Sequence, residues 1–368
     1  MATLAVTLGI DALSPQLSGI GRYTWELAAG LRGRREIDRL TYYARGRLIG
    51  EPQVLLESEE PPPIRRRFGR LQAKVEKRRL RSDLFHGPNF FLPPFAERGV
   101  ITVHDLSVFR FPESHPAARL REYAMHFESS LARAAHIITV SETVRHEVMD
   151  LLGVPGDRVT TVYNGVSENF HPQEELGLRK ILTLWGIEPG GYGLSVATYE
   201  PRKKLVNLID AWRALPKDLR SRFPLILAGA PGWQDSPIQA AIERGSSEGW
   251  IRNLGYVAER FLAPLYAGAR LFAYPSSYEG FGLPPMEAMA CGIPTIVANR
   301  SCLPEVTGGA AMLIDPDNHD EFVNALQRAL TDEAWRTKAI ATGLSRAGQF
   351  TWGRTVDETI SVYRKVAT

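Results

Sequence analysis

Short apolar runs alternate with longer stretches of helical periodicity along almost the whole chain. In the first half the runs at 4–10, 40–43, 84–86, 100–103, 137–140 and 159–162 predict strands. Apolar positions spaced by three and four predict helices at 23–31, 117–134 and 143–152. A stretch rich in Pro, Gly and Glu follows at 169–191 and reads as an interdomain linker with some local helix. The alternation then restarts. Strands are expected at 193–198, 225–228, 251–254, 271–274, 295–298 and 312–314. Helices are expected at 204–215, 237–244, 259–267, 284–290, 319–330 and 333–346. Strands interleaved with helices mean parallel sheets with crossover connections, so the pattern predicts two doubly wound α/β domains. Ligands of such domains bind beyond the C-terminal ends of the strands.

A length of 368 residues suits two domains, each able to bury its own core. Apolar residues make up 44% and charged residues 23%, an ordinary globular balance. No apolar run approaches the roughly 20 residues that span a bilayer. Residues 1–11 lack the basic flank and cleavage site of a secretory leader and read as a first buried strand. Cys291 and Cys302 make no disulfide framework or metal-ligand spacing, and a reducing cytoplasm fits.

The net charge of +3 is unevenly spread. Residues 64–81 hold nine basic side chains against the single acid Glu76, a local charge of +8 that leaves the remainder net acidic. Ile64, Phe68, Leu71 and Val75 follow helical spacing within it, after the Pro61-Pro-Pro63 stop. A basic amphipathic helix suits an anionic membrane surface, or is a solvated helix packing its apolar stripe on a sheet. Nucleic acid is disfavoured, because no aromatic interleaving or RNA-binding motif accompanies the charge.

Chemistry concentrates after predicted strands. Glu279-Gly-Phe-Gly-Leu-Pro-Pro-Met-Glu287 joins a strand to a helix, where Gly280 and Gly282 allow close backbone approach to a ligand. A helix N-terminus there suits a pyrophosphate, and the flanking carboxylates suit sugar hydroxyls. The plain alternative is a strand-loop-helix turn with Glu287 as a first-turn acid. Glu200-Pro-Arg-Lys-Lys204 puts cations at a strand end, where they can neutralise a departing diphosphate. Ser18-Gly-Ile-Gly-Arg-Tyr23 is an incomplete glycine-rich turn, since Thr24 stands where a dinucleotide site needs a further glycine. Val103-His104-Asp105-Leu106 and Phe85-His-Gly-Pro-Asn89 put histidines after strands, a position that structural histidines also occupy. Asp315-Pro-Asp317 spells a D-x-D metal motif but reads as a turn with a helix cap.

The stretch from Tyr274-Pro-Ser-Ser-Tyr through Glu279 and Glu287 to Pro294 resembles the E-x7-E signature of retaining glycosyltransferase family 4, which has the GT-B fold. The resemblance covers nearly the whole chain and is weakest at 40–80. It implies two facing Rossmann-like domains with an interdomain cleft: residues 1–172 for the acceptor, 173–350 for the nucleotide sugar, and a helix in 351–368 crossing back to the first. It implies that Glu279 contacts the transferred sugar, that Glu287 contacts the ribose, and that backbone amides of Phe281, Gly282 and Leu283 hold sugar and phosphate. Arg202 and Lys203 become the phosphate clamp, although Ala197-Thr198 stands where many relatives have a further arginine. Gly19 and Gly21 face donor phosphates and acceptor, and His104 approaches the donor sugar. His86 lines the cleft. Gly229, Tyr256 and Val257 stand where the family binds its base. Ser141-Glu142 and Tyr163-Asn-Gly-Val166 match further landmarks. Family members normally need no divalent ion, so neither metal nor cofactor is expected.

The implied activity is metal-independent transfer of a hexose, with mannose from GDP-mannose favoured, to a saccharide or polyprenyl-linked saccharide. The incoming hydroxyl attacks on the face the diphosphate leaves. The pattern is most similar to bacterial mannosyl and rhamnosyl transferases of surface polysaccharide assembly. A cytoplasmic protein touching the anionic membrane through 64–81 would fit lipid-linked acceptors. A nucleotide-sugar epimerase of this fold would need acid/base groups around the sugar and no acceptor groove. A non-catalytic scaffold would be expected to lack Glu279, Lys203 or His104, and all three are present.

Overall fold

The computed structural model describes residues 3–58, 80–232 and 236–367. The basic segment weighed above lies almost entirely outside them. The chain forms two compact units. One comprises Met1–Arg110, Ala117–Gly165 and Thr351–Thr368, and the other Phe111–Pro116 and Val166–Phe350. Residues 166–172 therefore go with the second unit, not the first.

In the first unit β1 (Leu4–Gly9), β2 (Ile37–Ala44), β3 (Arg47–Ile49), β4 (Leu84–Gly87), β5 (Gly99–Val103), β6 (Ala134–Thr139) and β7 (Val159–Thr161) form one sheet. Its order is β3-β2-β1-β4-β5-β6-β7. All pairings are parallel except β2 with β3, a hairpin across Arg45 and Gly46, whose φ values of 51° and 78° are those of a two-residue primed turn. Apolar periodicity gives no sign of so short an edge strand. Strands buried on both faces pack against the Ala117–Arg133 and Glu142–Leu152 helices through Phe85, Ile101, Ile137, Phe127 and Val148.

The second sheet contains β8 (Gly193–Val196), β9 (Leu225–Ala228), β10 (Ile251–Asn253), β11 (Leu271–Tyr274), β12 (Thr295–Ala298) and β13 (Met312–Ile314), ordered β10-β9-β8-β11-β12-β13 and parallel throughout. Trp212, Leu208, Leu225, Phe322 and Leu326 anchor its main core. Gly193 is required there, since a Cβ would lie 2.0 Å from the Trp212 ring. In both sheets the chain starts at a central strand, winds outward, then returns on the other side. The reversal falls between β1 and β4 in one sheet and between β8 and β11 in the other. Loops diverge at such a switch point and leave a crevice beyond the strand ends.

The expected linker at 169–191 is instead part of the second unit. Glu175–Leu182 is a helix that buries Leu178 and Leu182, and Ile187 is buried after it. Its Pro, Gly and Glu content hides an amphipathic turn pattern that only packing against the Glu259–Ala267 helix reveals. The final helix, Trp352–Ala367, belongs to the first unit, where the Thr355 hydroxyl donates to the Tyr163 carbonyl at 2.8 Å. The chain passes Gly165 tightly against that helix: a Cβ there would meet the Trp352 nitrogen at 2.2 Å. No helix of the described residues is long and apolar enough to cross a membrane.

Candidate functional site

At the switch point of the second unit, the loop after β8 meets the loop after β11. A short 3-10 turn at Pro201–Lys203 turns the Lys203 side chain into the protein, where only 6% of the residue is exposed. Its Nζ donates to the Tyr274 hydroxyl at 3.0 Å and to Glu279 Oε1. The Tyr274 hydroxyl in turn donates to the same carboxylate oxygen at 2.8 Å. Arg202 Nη1 lies 3.6 Å from Glu279 Oε2, and its Nε donates to Glu200 at 2.8 Å. The Arg202 guanidinium also donates to the Tyr278 carbonyl, while Ser277 donates to the Arg202 carbonyl, so the two loops are stitched together.

Burial alone would raise the Glu279 carboxyl. The Lys203 and Arg202 cations, with hydrogen bonds from Lys203 and Ser276, overcome that and hold it at about 2. Burial and the Arg202 charge pull the Lys203 ammonium down, and Glu279 pulls it back. The ion pair is the state that the direct Nζ–carboxylate contact supports. Glu279 is therefore a fixed anion and a very weak base.

Behind Glu279, Gly282 has φ 87° and caps the Leu283–Ala290 helix, and a Cβ at Gly282 would meet Leu303 at 2.8 Å. Glu287 sits in the second turn of this helix and is 8% exposed, so it is not a first-turn acid answering the helix dipole. Burial and the Glu287 charge together push the neighbouring Tyr266 hydroxyl well above its ordinary range. Phe281 is buried against Phe350, with ring centroids 5.6 Å apart, and Leu283 is half-buried. Gly229 follows β9 at φ 151°, where a Cβ would meet the Ala197 carbonyl oxygen at 1.7 Å, so only glycine fits. After β10, Tyr256 is exposed while Val257 is buried.

Gly19, Gly21 and His104 belong to the first unit. Gly19 and Gly21 form the first turn of the Gly19–Leu31 helix, capped by Ser18, which accepts from the Gly21 amide at 3.1 Å. Gly21 is needed for packing: a Cβ would meet the Ala12 carbonyl at 2.9 Å. His104 Nε2 lies 2.7 Å from the Pro88 carbonyl, which can only accept, so Nε2 carries the proton and Nδ1 is the ring's acceptor. Burial keeps this imidazole neutral, lowering it to about 4 against the opposing pull of the Pro88 carbonyl and Asp105. His86 is a buried structural partner, bonded to Tyr363 at 2.6 Å and Thr102 at 2.8 Å. Asp315 and Asp317 form a turn and pair with Arg300 and Lys204, each at 2.8 Å. The helix after them is capped by Asn318, not by an aspartate.

Two site residues had no role assigned from sequence. Tyr274 reads as a strand residue, yet its hydroxyl bridges Lys203 and Glu279. Ser301, at φ 51°, donates from its hydroxyl to the Glu279 carbonyl at 2.7 Å. A tyrosine closing a strand before a Pro-Ser-Ser loop was the available signal for the first. The second lies 22 positions from its partner and gave none.

Residues 17–170 match the glycosyltransferase family 4 model, and residues 188–346 match the model for glycosyl transferases group 1. The O-antigen chain mannosyltransferase B of Escherichia coli is 37% identical over 98% of this chain and 100% of its own length. The chain belongs to the family 4, group 1 glycosyltransferases. The serotype-specific mannosyltransferase WbdA of E. coli, a longer protein, is 32% identical over 67% of this chain and 31% of its own. Among solved structures, Anabaena HepE in complex with UDP and glucose superposes with a TM-score of 0.74, at 21% identity over 97% of this chain and 99% of that one. WaaG, a glycosyltransferase involved in lipopolysaccharide biosynthesis, superposes at 0.72 with 15% identity, over 97% and 99%. The fold of this glycosyltransferase is accordingly GT-B, with two Rossmann-like parallel-sheet domains.

Proposed function

We propose that this glycosyltransferase moves mannose from GDP-mannose, with retention of anomeric configuration and without a metal ion, to a growing surface saccharide. The observation carrying the reading is the buried Lys203–Tyr274–Glu279 cluster, with Arg202 beside it and a glycine-started helix behind it. Fixed cations at a switch point are suited to the charge that develops as a nucleoside diphosphate leaves. That supplies the stabilisation a divalent ion would otherwise give, and Asp315 and Asp317 are already committed to Arg300 and Lys204. Glu279 at about 2 is far too acidic to accept a proton from an incoming hydroxyl near neutrality. The departing phosphate is the better base, which favours attack on the face it leaves. Neutral His104, with Nδ1 as acceptor, suits a sugar hydroxyl and does not repel an oxocarbenium-like centre as an imidazolium would. The mannosyl assignment and the O-antigen type of product rest on the 37%-identical E. coli relative.

The test is thermal-shift binding and donor hydrolysis without added metal, across GDP-mannose, UDP-glucose, UDP-N-acetylglucosamine and dTDP-rhamnose, for the wild type and Glu287→Ala. Selective stabilisation by GDP-mannose, lost in the variant, is the expected result. A response to a uridine donor instead would overturn the donor assignment. No response to any nucleotide sugar would overturn the enzymatic reading.

A further inference from the structure

Glu200 has both carboxylate oxygens committed within the loop after β8. Oε2 accepts from Arg202 Nε at 2.8 Å, and Oε1 accepts from the Thr198 hydroxyl at 2.9 Å. Glu200 opens the Pro201–Lys203 turn, but its side chain does not cap that turn. The carboxylate serves the Arg202 side chain, not the backbone. Both side chains are largely withdrawn from water, Arg202 at 14% and Glu200 at 15% exposure. The chain beyond β9 closes on the same spot: a Cβ on Gly232 would meet Glu200 Cγ at 2.9 Å. That contact leaves the carboxylate little room to swing away from the guanidinium.

Arg202 is fixed at both ends. Its carbonyl accepts from the Ser277 amide at 2.8 Å and from the Ser277 hydroxyl at 2.9 Å, which pins its backbone to the loop after β11. At the far end Nη1 donates to the Tyr278 carbonyl at 2.8 Å while Nε donates to Glu200. The guanidinium is rigid and planar, so acceptors on Nε and on Nη1 together set its plane and its rotation. Ordering a long side chain costs free energy whenever it has to be done on binding. A guanidinium that is already ordered does not incur that cost as charge develops opposite it.

The charges separate orientation from attraction. Two cations, Arg202 and Lys203, are matched by two carboxylates, Glu200 and Glu279. A carboxylate beside a phosphate clamp weakens its pull on an arriving anion, so Glu200 does not serve capture of the donor. Its placement serves geometry instead, because it holds the guanidinium at Nε and is itself held by Thr198 on its other oxygen. The three side chains form a short relay, from Thr198 through Glu200 to Arg202, lying within four residues of the strand end at Val196 for the first two.

We propose that Glu200 is a positioning residue: held by Thr198, it orients the Arg202 guanidinium toward the charge that develops on the departing diphosphate, without contacting the donor itself. The proposal rests on the glycosyl-transfer reading above. Its test is steady-state hydrolysis, by the full chain, of whichever of the four nucleotide sugars above the wild type turns over. Glu200→Ala should lower kcat about tenfold and leave the donor KM within about twofold, because the lost interaction acts on charge that appears only in the transition state. Glu200→Gln, which keeps an oxygen for Arg202 Nε, should retain most of the rate. On an Arg202→Lys background, Glu200→Ala should change kcat by less than about twofold, since no guanidinium is left to orient. A lower donor KM with kcat unchanged in Glu200→Ala would make the carboxylate a competitor of the diphosphate and overturn the proposal. An equal loss on the arginine and lysine backgrounds would place its action elsewhere and also overturn it. Should Glu200→Ala fail to fold, Thr198→Val at an exposed position decides: kcat about threefold lower supports the relay, and an unchanged kcat overturns it. Wild-type turnover of none of the four nucleotide sugars sinks the transferase reading, whereas an active wild type with an equally active Glu200→Ala sinks the positioning role alone.

Discussion

Lys203 and Glu279 neutralise one another where water scarcely reaches, so each holds the other's charge in place. Removing one partner leaves a buried charge without its counterion, which is costlier than removing both. Glu279→Gln should lower unfolding free energy by about 3 kcal/mol, because Lys203 is left beside Arg202 with no carboxylate between them. Adding Lys203→Met should recover much of that loss in urea unfolding while sugar transfer stays absent. A double variant no more stable than the single one would show that the pair's charge is not what stabilises this loop. At the same scale, His104 shows how burial chooses chemistry. Held neutral with its Nε2 proton committed to Pro88, it can accept a hydrogen bond at Nδ1 but cannot serve as a cation near neutral pH.

Elements position these residues through their ends. The Leu283–Ala290 helix starts at Gly282 because only glycine accepts φ 87° against Leu303 without strain, and that start places Glu287 in the interior. The Trp352–Ala367 helix acts on the first sheet in another way. Its Tyr363 bonds to His86, His86 to Thr102, and Thr102 to Tyr23 at 3.0 Å, whose ring meets His104 edge-on at 4.8 Å. This chain of buried polar groups ties the last helix to β4 and β5 and backs the His104 ring. Tyr363→Phe would leave the buried His86 Nδ1 without its partner and should destabilise the first unit by about 1–3 kcal/mol. Hydrogen exchange should show the loss in β4, β5 and the final helix, with the second unit unchanged.

At the scale of the whole molecule, the two units answer acid differently. Burial lowers His86 to about 3 and His104 to about 4 in the first unit; burial, with Lys365 and Arg158 nearby, lowers His136 to about 4. Unfolded histidines protonate near 6.5, so between there and about 4 the unfolded chain binds more protons than the folded one. Stability of the first unit is therefore complete above that range and is lost as pH falls through it. Glu279 in the second unit is also depressed, from 4.5 to about 2, so its contribution is lost only over that lower window. Calorimetry from pH 7 to 5 should show the first unit's transition falling while the second unit's stays nearly level; parallel shifts would contradict this. Much of the architecture was legible beforehand. The bounds of β9, β11, β12 and β13 follow directly from apolar runs, and the Glu279–Glu287 stretch carries the family by itself. The Glu175–Leu182 helix and the β3 hairpin were not legible, because one is amphipathic over barely two turns and the other is too short to show a period. Periodicity and motif spacing are local properties, so the sequence alone determined the element types, the two-sheet plan and the glycosyltransferase family. Which hydroxyl bridges Lys203 to Glu279 and which nitrogen of His104 is an acceptor depend on side chains brought together from distant positions, 71 apart for Lys203 and Tyr274. Only the tertiary structure decided these, because burial and proximity across a switch point exist only once the sheets have formed.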